Sequence, residues 1–113
     1  MNVCDRELLE LAAKGAGINV VWSELAECFF LGEECLQPWN PLDDDGHALR
    51  LAVDMKIDIF PWINSAQGGA TQARNHHGTR TQERSADNSG CIYSATRRAI
   101  VRAAAEIGRC VNG

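Results

Sequence analysis

No apolar run in this chain approaches the roughly 20 residues that a bilayer-spanning helix needs; the longest are short, such as Cys28-Phe29-Phe30-Leu31. The first residues lack a basic and then apolar leader, because Asp5, Glu7 and Glu10 interrupt it. No membrane partner is expected, and the expected compartment is the cytoplasm. Cysteine has no framework: Cys4, Cys28, Cys35, Cys91 and Cys110 are odd in number and irregularly spaced, which fits neither a closed disulfide set nor the paired thiols of a zinc site. They read as reduced, mostly buried thiols. Neither a Gly-x-Gly-x-x-Gly turn nor a Gly-x4-Gly-Lys-Ser/Thr loop occurs, and no local signature sets a base beside a nucleophile. The expectation is a protein that is not an enzyme and carries no cofactor.

What is present divides by charge. Residues 1–60 hold twelve acids against four bases, and residues 61–113 hold three acids against seven arginines. Halves of opposite sign attract each other if packed together and otherwise leave an acidic and a basic surface, a layout that suits an anionic ligand or a second copy of the chain. A length of 113 residues suits one domain with a modest core.

Several elements are legible. Asp5 as a cap, Glu7 and Glu10 near the start, and Leu8, Leu11 and Ala12 at helical spacing predict a first helix that stops at Gly15 or Gly17. Ile18 to Trp22 predicts a strand. Residues 23–31 suit either a helical turn or a strand ending at Gly32, with Glu33-Glu34 keeping the following turn in water. Ile57-Asp58-Ile59-Phe60 predicts a strand closed by Pro61. Trp22, Trp39 and Trp62 are expected in the core or at its edge.

The stretch Trp39-Asn40-Pro41-Leu42-Asp43-Asp44-Asp45-Gly46 sets three carboxylates in a row. A calcium loop counted from Pro41 finds Asp43, Asp45 and Gly46 in place, but Pro41 and Ala52 occupy both end positions, so that reading fails. Magnesium held through water would need only one or two carboxylates, but no phosphate-cradling motif accompanies them. Helix initiation is the favoured reading: Asn40 caps with Pro41 at the first position, or Asp44 or Asp45 starts the helix just before Gly46. Ala48, Leu49, Ala52 and Val53 then form its apolar face, flanked by Leu51 and Met55.

From about residue 65 to 90 large apolar side chains almost vanish, so this segment can hardly feed a core. It reads as a polar loop or a hairpin turning at His77-Gly78, and as the main candidate for contact with another molecule. His76-His77 lacks further ligands at metal spacing, so no metal site is expected. The final helix, Ala95 to Arg109, starts at Ser94 or Thr96, ends at Gly108 or Gly113, and carries the stripe Ile100, Ala103, Ala104, Ile107. Its alanines suit close approach to a sheet, to a partner helix or to a second copy in a homodimer. Arg98, Arg102 and Arg109 share another face, where Arg102 can pair with Glu106.

The strings WNPL, DDG and ALRLAV (residues 39–53) and ATRRAIVRAAAEIG (residues 95–108) resemble small accessory proteins of tailed phages and prophages and, more distantly, the NinX-like family. The resemblance covers about half of the chain and omits the polar middle. It implies a small α+β protein of phage or prophage origin, active in a host bacterium; it carries over no catalytic residue, and His47 stands where an acid is expected in the similar proteins. The expected fold is α+β, a small mostly antiparallel sheet packed against an N-terminal, a central and a long C-terminal helix. The first expected function is non-enzymatic binding of a host protein. The second is binding of a nucleotide or nucleic acid through Arg74, Arg80, Arg84, Arg98 and Arg102, with His77 beside them. A third, metal-dependent phosphoryl chemistry at Asp43 to Asp45, would require magnesium or manganese to raise the melting temperature.

Overall fold

The computed structural model describes residues 3–32, 37–64 and 68–111; Glu33-Glu34, Cys35 and residues 65–67 of the expectations above lie outside them. The fold is α+β. In chain order its elements are α1 (Val3–Ala16), β1 (Val20–Ser23), β2 (Cys28–Leu31), β3 (Gln37–Trp39), α2 (Asp45–Asp54), β4 (Asp58–Asn64), β5 (Gly68–Arg74), β6 (Arg80–Arg84), a short 3-10 helix (Ser85–Asn88) and α3 (Ile92–Cys110). The strands form two antiparallel sheets, β1-β2-β3 and β4-β5-β6.

Helix α1 begins ahead of Asp5, so this carboxylate is not its cap; it pairs with Arg98 of α3 at 3.0 Å. The helix ends at Gly17, whose φ of +69° suits glycine and lets the Ile18 amide reach the Ala13 carbonyl. Gly15 and Gly108, both expected as helix stops, lie inside helices instead. A Cβ on Gly108 would stand 1.9 Å from the Leu11 carbonyl oxygen, and one on Gly15 would stand 2.6 Å from that of Ala104. With Asp5 beside Arg98 and Gly15 beside Gly108, the two helices run parallel with their backbones in contact. Glycine costs a helix interior about 1 kcal/mol relative to alanine; at this crossing it removes a backbone clash that no rotamer could relieve.

Helix α3 starts earlier than Ser94. Cys91 caps it, its Sγ accepting the Ser94 amide at 3.5 Å, and that bond holds the thiol below its ordinary pKa range. The stripe Ile100, Ala103, Ala104 and Ile107 is buried, and burial continues around the helix to Ala95, Ala99 and Val101. The helix is enclosed because α1 covers one side and the β4-β5-β6 sheet another. Thr81 donates its hydroxyl to the Ala99 carbonyl at 2.7 Å, and Asn75 its amide to the Ala103 carbonyl at 2.9 Å. The sheet thereby touches the helix backbone itself.

This contact corrects the expectation that the polar middle adds nothing to a core. Residues 68–84 form a hairpin around Asn75–Thr79, and Thr71, Ala73, Asn75 and Thr81 are buried. Small side chains suffice there because an alanine-rich helix lies so close. Pro61 does not close β4, which runs on to Asn64. As an edge strand, β4 can carry a residue without an amide proton.

The other sheet aligns Trp22, Phe29 and Trp39 across its three strands. Phe29 and Trp39 are buried, while Trp22 is half-buried, edge-on to Phe29 at 5.0 Å with the Arg6 guanidinium 4.2 Å from its ring centre. The ambiguous stretch 23–31 resolves as a turn followed by β2. Helix α2 uses the later of its two candidate starts, and its buried set is Ala48, Leu51, Ala52 and Met55. Leu49 and Val53, expected on the apolar face, point to solvent.

Candidate functional site

The three aspartates each have a separate structural partner. Asp43 accepts from the Asn40 side chain at 3.1 Å, Asp44 caps α2 by accepting the His47 amide at 2.9 Å, and Asp45 takes Arg97 at 2.6 Å. The His47 amide holds the Asp44 carboxyl below the usual carboxylate range. The His47 ring returns the contact, its Nδ1 accepting the Asn40 amide at 3.0 Å. Arg97, which no local spacing singles out, also donates to the Leu42 carbonyl at 2.7 Å and the Ser94 hydroxyl at 2.8 Å. The WNPLDDDG motif is therefore a folded turn riveted to α3. Among the described residues no three His, Cys, Asp or Glu side chains converge as a metal site would require.

The arginines expected to act together fall into two sets on opposite faces of the β4-β5-β6 sheet. Arg98 and Arg102 lie on the helix side with Arg109, Arg98 on Asp5 and Arg102 on Glu83 of β6, not on Glu106, which instead pairs with Arg109. Arg74, Arg80 and Arg84 lie on the far face. Registry establishes this: Asp58, Arg74 and Arg80 stand opposite one another across the strands, as do Phe60, Gln72 and Gln82, and Trp62, Ala70 and Arg84. Directly paired residues share a face, and alternate residues share it along a strand. Arg74 pairs with Asp58 at 2.6 Å and Arg84 with Asp87 at 3.2 Å. His77 is exposed in the hairpin turn, its amide bonded to the Asn75 side chain and its ring edge-on to His76.

On the helix side of the same edge strand lies an apolar groove of about 700 Å³ between β4, α2 and the start of α3. Ile59, Pro61, Ala48 and Ile100 form its wall. Leu49 and Tyr93, 59% and 68% exposed, stand on its rim with Trp62. Large side chains left this open are unusual around one concavity on a small domain, where exposed apolar patches mark binding sites. Helical periodicity hides the groove, because it places Leu49 on the apolar face of α2.

These features define a small α+β protein with an apolar groove and an open sheet face on the two sides of β4. Compared with known family models, with curated proteins and with solved structures, the chain matches none. Among the described residues no helix is long and apolar enough to cross a membrane.

Proposed function

We propose that this chain is a small accessory protein of phage or prophage origin that works without catalysis, by holding a segment of a host protein in the groove between β4, α2 and α3. The observation that carries the reading is the groove: an apolar floor, three large rim side chains, and polar groups limited mainly to Asp45, Thr96 and Arg97. Asp45 and Arg97 are already paired with each other. Such a lining favours apolar anchors of a partner over a charged small molecule. Addition of a strand to β4 is disfavoured, since Pro61 sits mid-edge without an amide proton, so side chains rather than backbone make the recognition. The WNPLDDDG and ATRRAIVRAAAEIG strings, through their resemblance to phage accessory proteins, support the host bacterium as the source of the partner.

The test is capture from host lysate with tagged wild-type protein and with Leu49→Asp, which places a charge on the exposed rim without touching the core. A single stoichiometric host protein is expected with the wild type, and its recovery should fall by about tenfold or more with the variant, as for loss of an interface anchor. Equal recovery by both proteins, or no stoichiometric protein with either, overturns the reading.

A further inference from the structure

We propose that the far face of the β4-β5-β6 sheet binds single-stranded nucleic acid, with bases stacked on Phe60 and Trp62 and phosphates held by Arg74, Arg80 and Arg84. The groove is a different surface, and of these residues only Trp62 touches both.

The composition of the face carries the inference. Phe60 and Trp62 are 47% and 43% exposed and alternate along one edge strand, which spaces their rings about 7 Å apart. That spacing leaves each ring free to take one unstacked base, as on other open sheets that read single strands. Arg80 and Arg84 are exposed on β6, two strands away, or about 10 Å across the sheet, a distance that a nucleotide and an arginine side chain bridge together. Gln72 and Gln82 occupy the row between, where their amides can both donate and accept. Arg74 already lies over Phe60, its guanidinium 5.8 Å from the ring centre.

Charge points the same way. The chain as a whole is acidic, with a formal net charge of −4, yet the paired rows of this face hold three arginines and one acid, Asp58. Arg80 has no ion-pair partner among the described residues, and the partners of Arg74 and Arg84 are exposed carboxylates. Exposed pairs of this kind contribute little stability and exchange readily for phosphate. An unpaired strand is favoured over a duplex because stacking on Phe60 and Trp62 requires open base faces.

The experiment is fluorescence anisotropy with labelled oligothymidine, oligouridine and a mixed-sequence duplex of equal length, from about 50 to about 200 mM salt. Single-strand binding in the range of roughly 1–100 µM is expected, weakening as salt rises. Phe60→Ala should weaken it about tenfold, and Arg80→Ala should lower the salt slope by about 0.7, whereas Lys14→Ala, on α1, should change neither. Preference between the two single strands assigns DNA or RNA. Duplex binding as tight as single-strand binding, binding unchanged by Phe60→Ala, or no binding at about 100 µM protein in the lowest salt each overturns the proposal. Leu49→Asp should bind the oligonucleotides like the wild type, so failure here and failure of the host-protein reading are separately visible.

Discussion

The two faces of the β4-β5-β6 sheet are made by the same three strands and differ in almost everything else. The face toward α3 carries Ile59, Ala73 and Thr81 in one row and Pro61, Thr71 and Glu83 in the next. Its β5 and β6 members are small or specifically bonded, since α3 approaches closely enough for Thr81 and for Asn75 at the hairpin to bond its carbonyls and for Arg102 to pair with Glu83. The far face carries Phe60, Trp62 and three arginines and, among the described residues, has no α-helix over it. A burial-poor sequence thus hides a well-packed interface on one side and presents its larger side chains on the other. Side-chain size is consequently a poor guide to burial in this region; distance to the alanine-rich helix decides it.

That contrast can be broken most severely at the crossing that holds α3 in place. Gly108→Ala, which helix propensity alone would favour by about 1 kcal/mol, is expected to destabilise by about 3 kcal/mol or more, because the new methyl meets the Leu11 carbonyl; urea unfolding measures it, and any gain in stability would refute the close crossing. Next is Asn75→Ala. Its buried side chain bonds the Ala103 carbonyl and the His77 and Thr79 amides, so a loss of about 2 kcal/mol is expected by the same measurement.

Thr71→Val sharpens the comparison from the other direction. The Thr71 hydroxyl is buried on the helix side without a hydrogen-bond partner among the described residues, and replacing it by a methyl should raise stability by about 1 kcal/mol. A loss instead would show that the hydroxyl is satisfied. On the far face Phe60→Ala should cost less than about 1 kcal/mol while weakening oligonucleotide binding, since a half-exposed side chain loses little burial. The smallest effect concerns the α2 cap. Asp44 has a lowered folded-state pKa through the His47 amide, so its stabilisation is complete above the unfolded carboxylate value near about 4 and is lost as pH falls through the lower folded value. The melting-temperature gap between wild type and Asp44→Ala should therefore be constant near neutrality and close in acid.

Local chemistry made several parts of this protein legible. The second start of α2 follows from Asp44 and Gly46, and the buried stripe Ile100, Ala103, Ala104 and Ile107 from helical spacing. Of the loop and the hairpin that residues 68–84 allowed, the hairpin forms, and its turn at His77-Gly78 follows from Gly78, where φ is +87°. Local spacing misleads where a residue serves a distant partner. Asp5 has the chemistry of a cap but lies within reach of Arg98; Arg102 could meet Glu106 along its own helix but meets Glu83 across the sheet. Leu49 suits an apolar stripe, but α2 turns Ala48, Leu51 and Ala52 inward and leaves it on the groove rim.

What the sequence determined alone is local: the three helical segments to within a few residues, the start of α2 among them, the alternation of faces along a strand, and that one half is acidic and the other rich in arginine. These properties depend on neighbours within a few residues, which the chain order specifies directly. Only the tertiary structure decided that Gly15 and Gly108 are contacts rather than stops, that the six-residue cluster of arginines and His77 divides between surfaces, and that Phe60, Trp62 and Arg80 face outward together. Those outcomes depend on which face of each element meets α3, and that is settled by long-range packing, as at the α1–α3 crossing, where a methyl on Gly108 would meet the Leu11 carbonyl whatever its helix propensity.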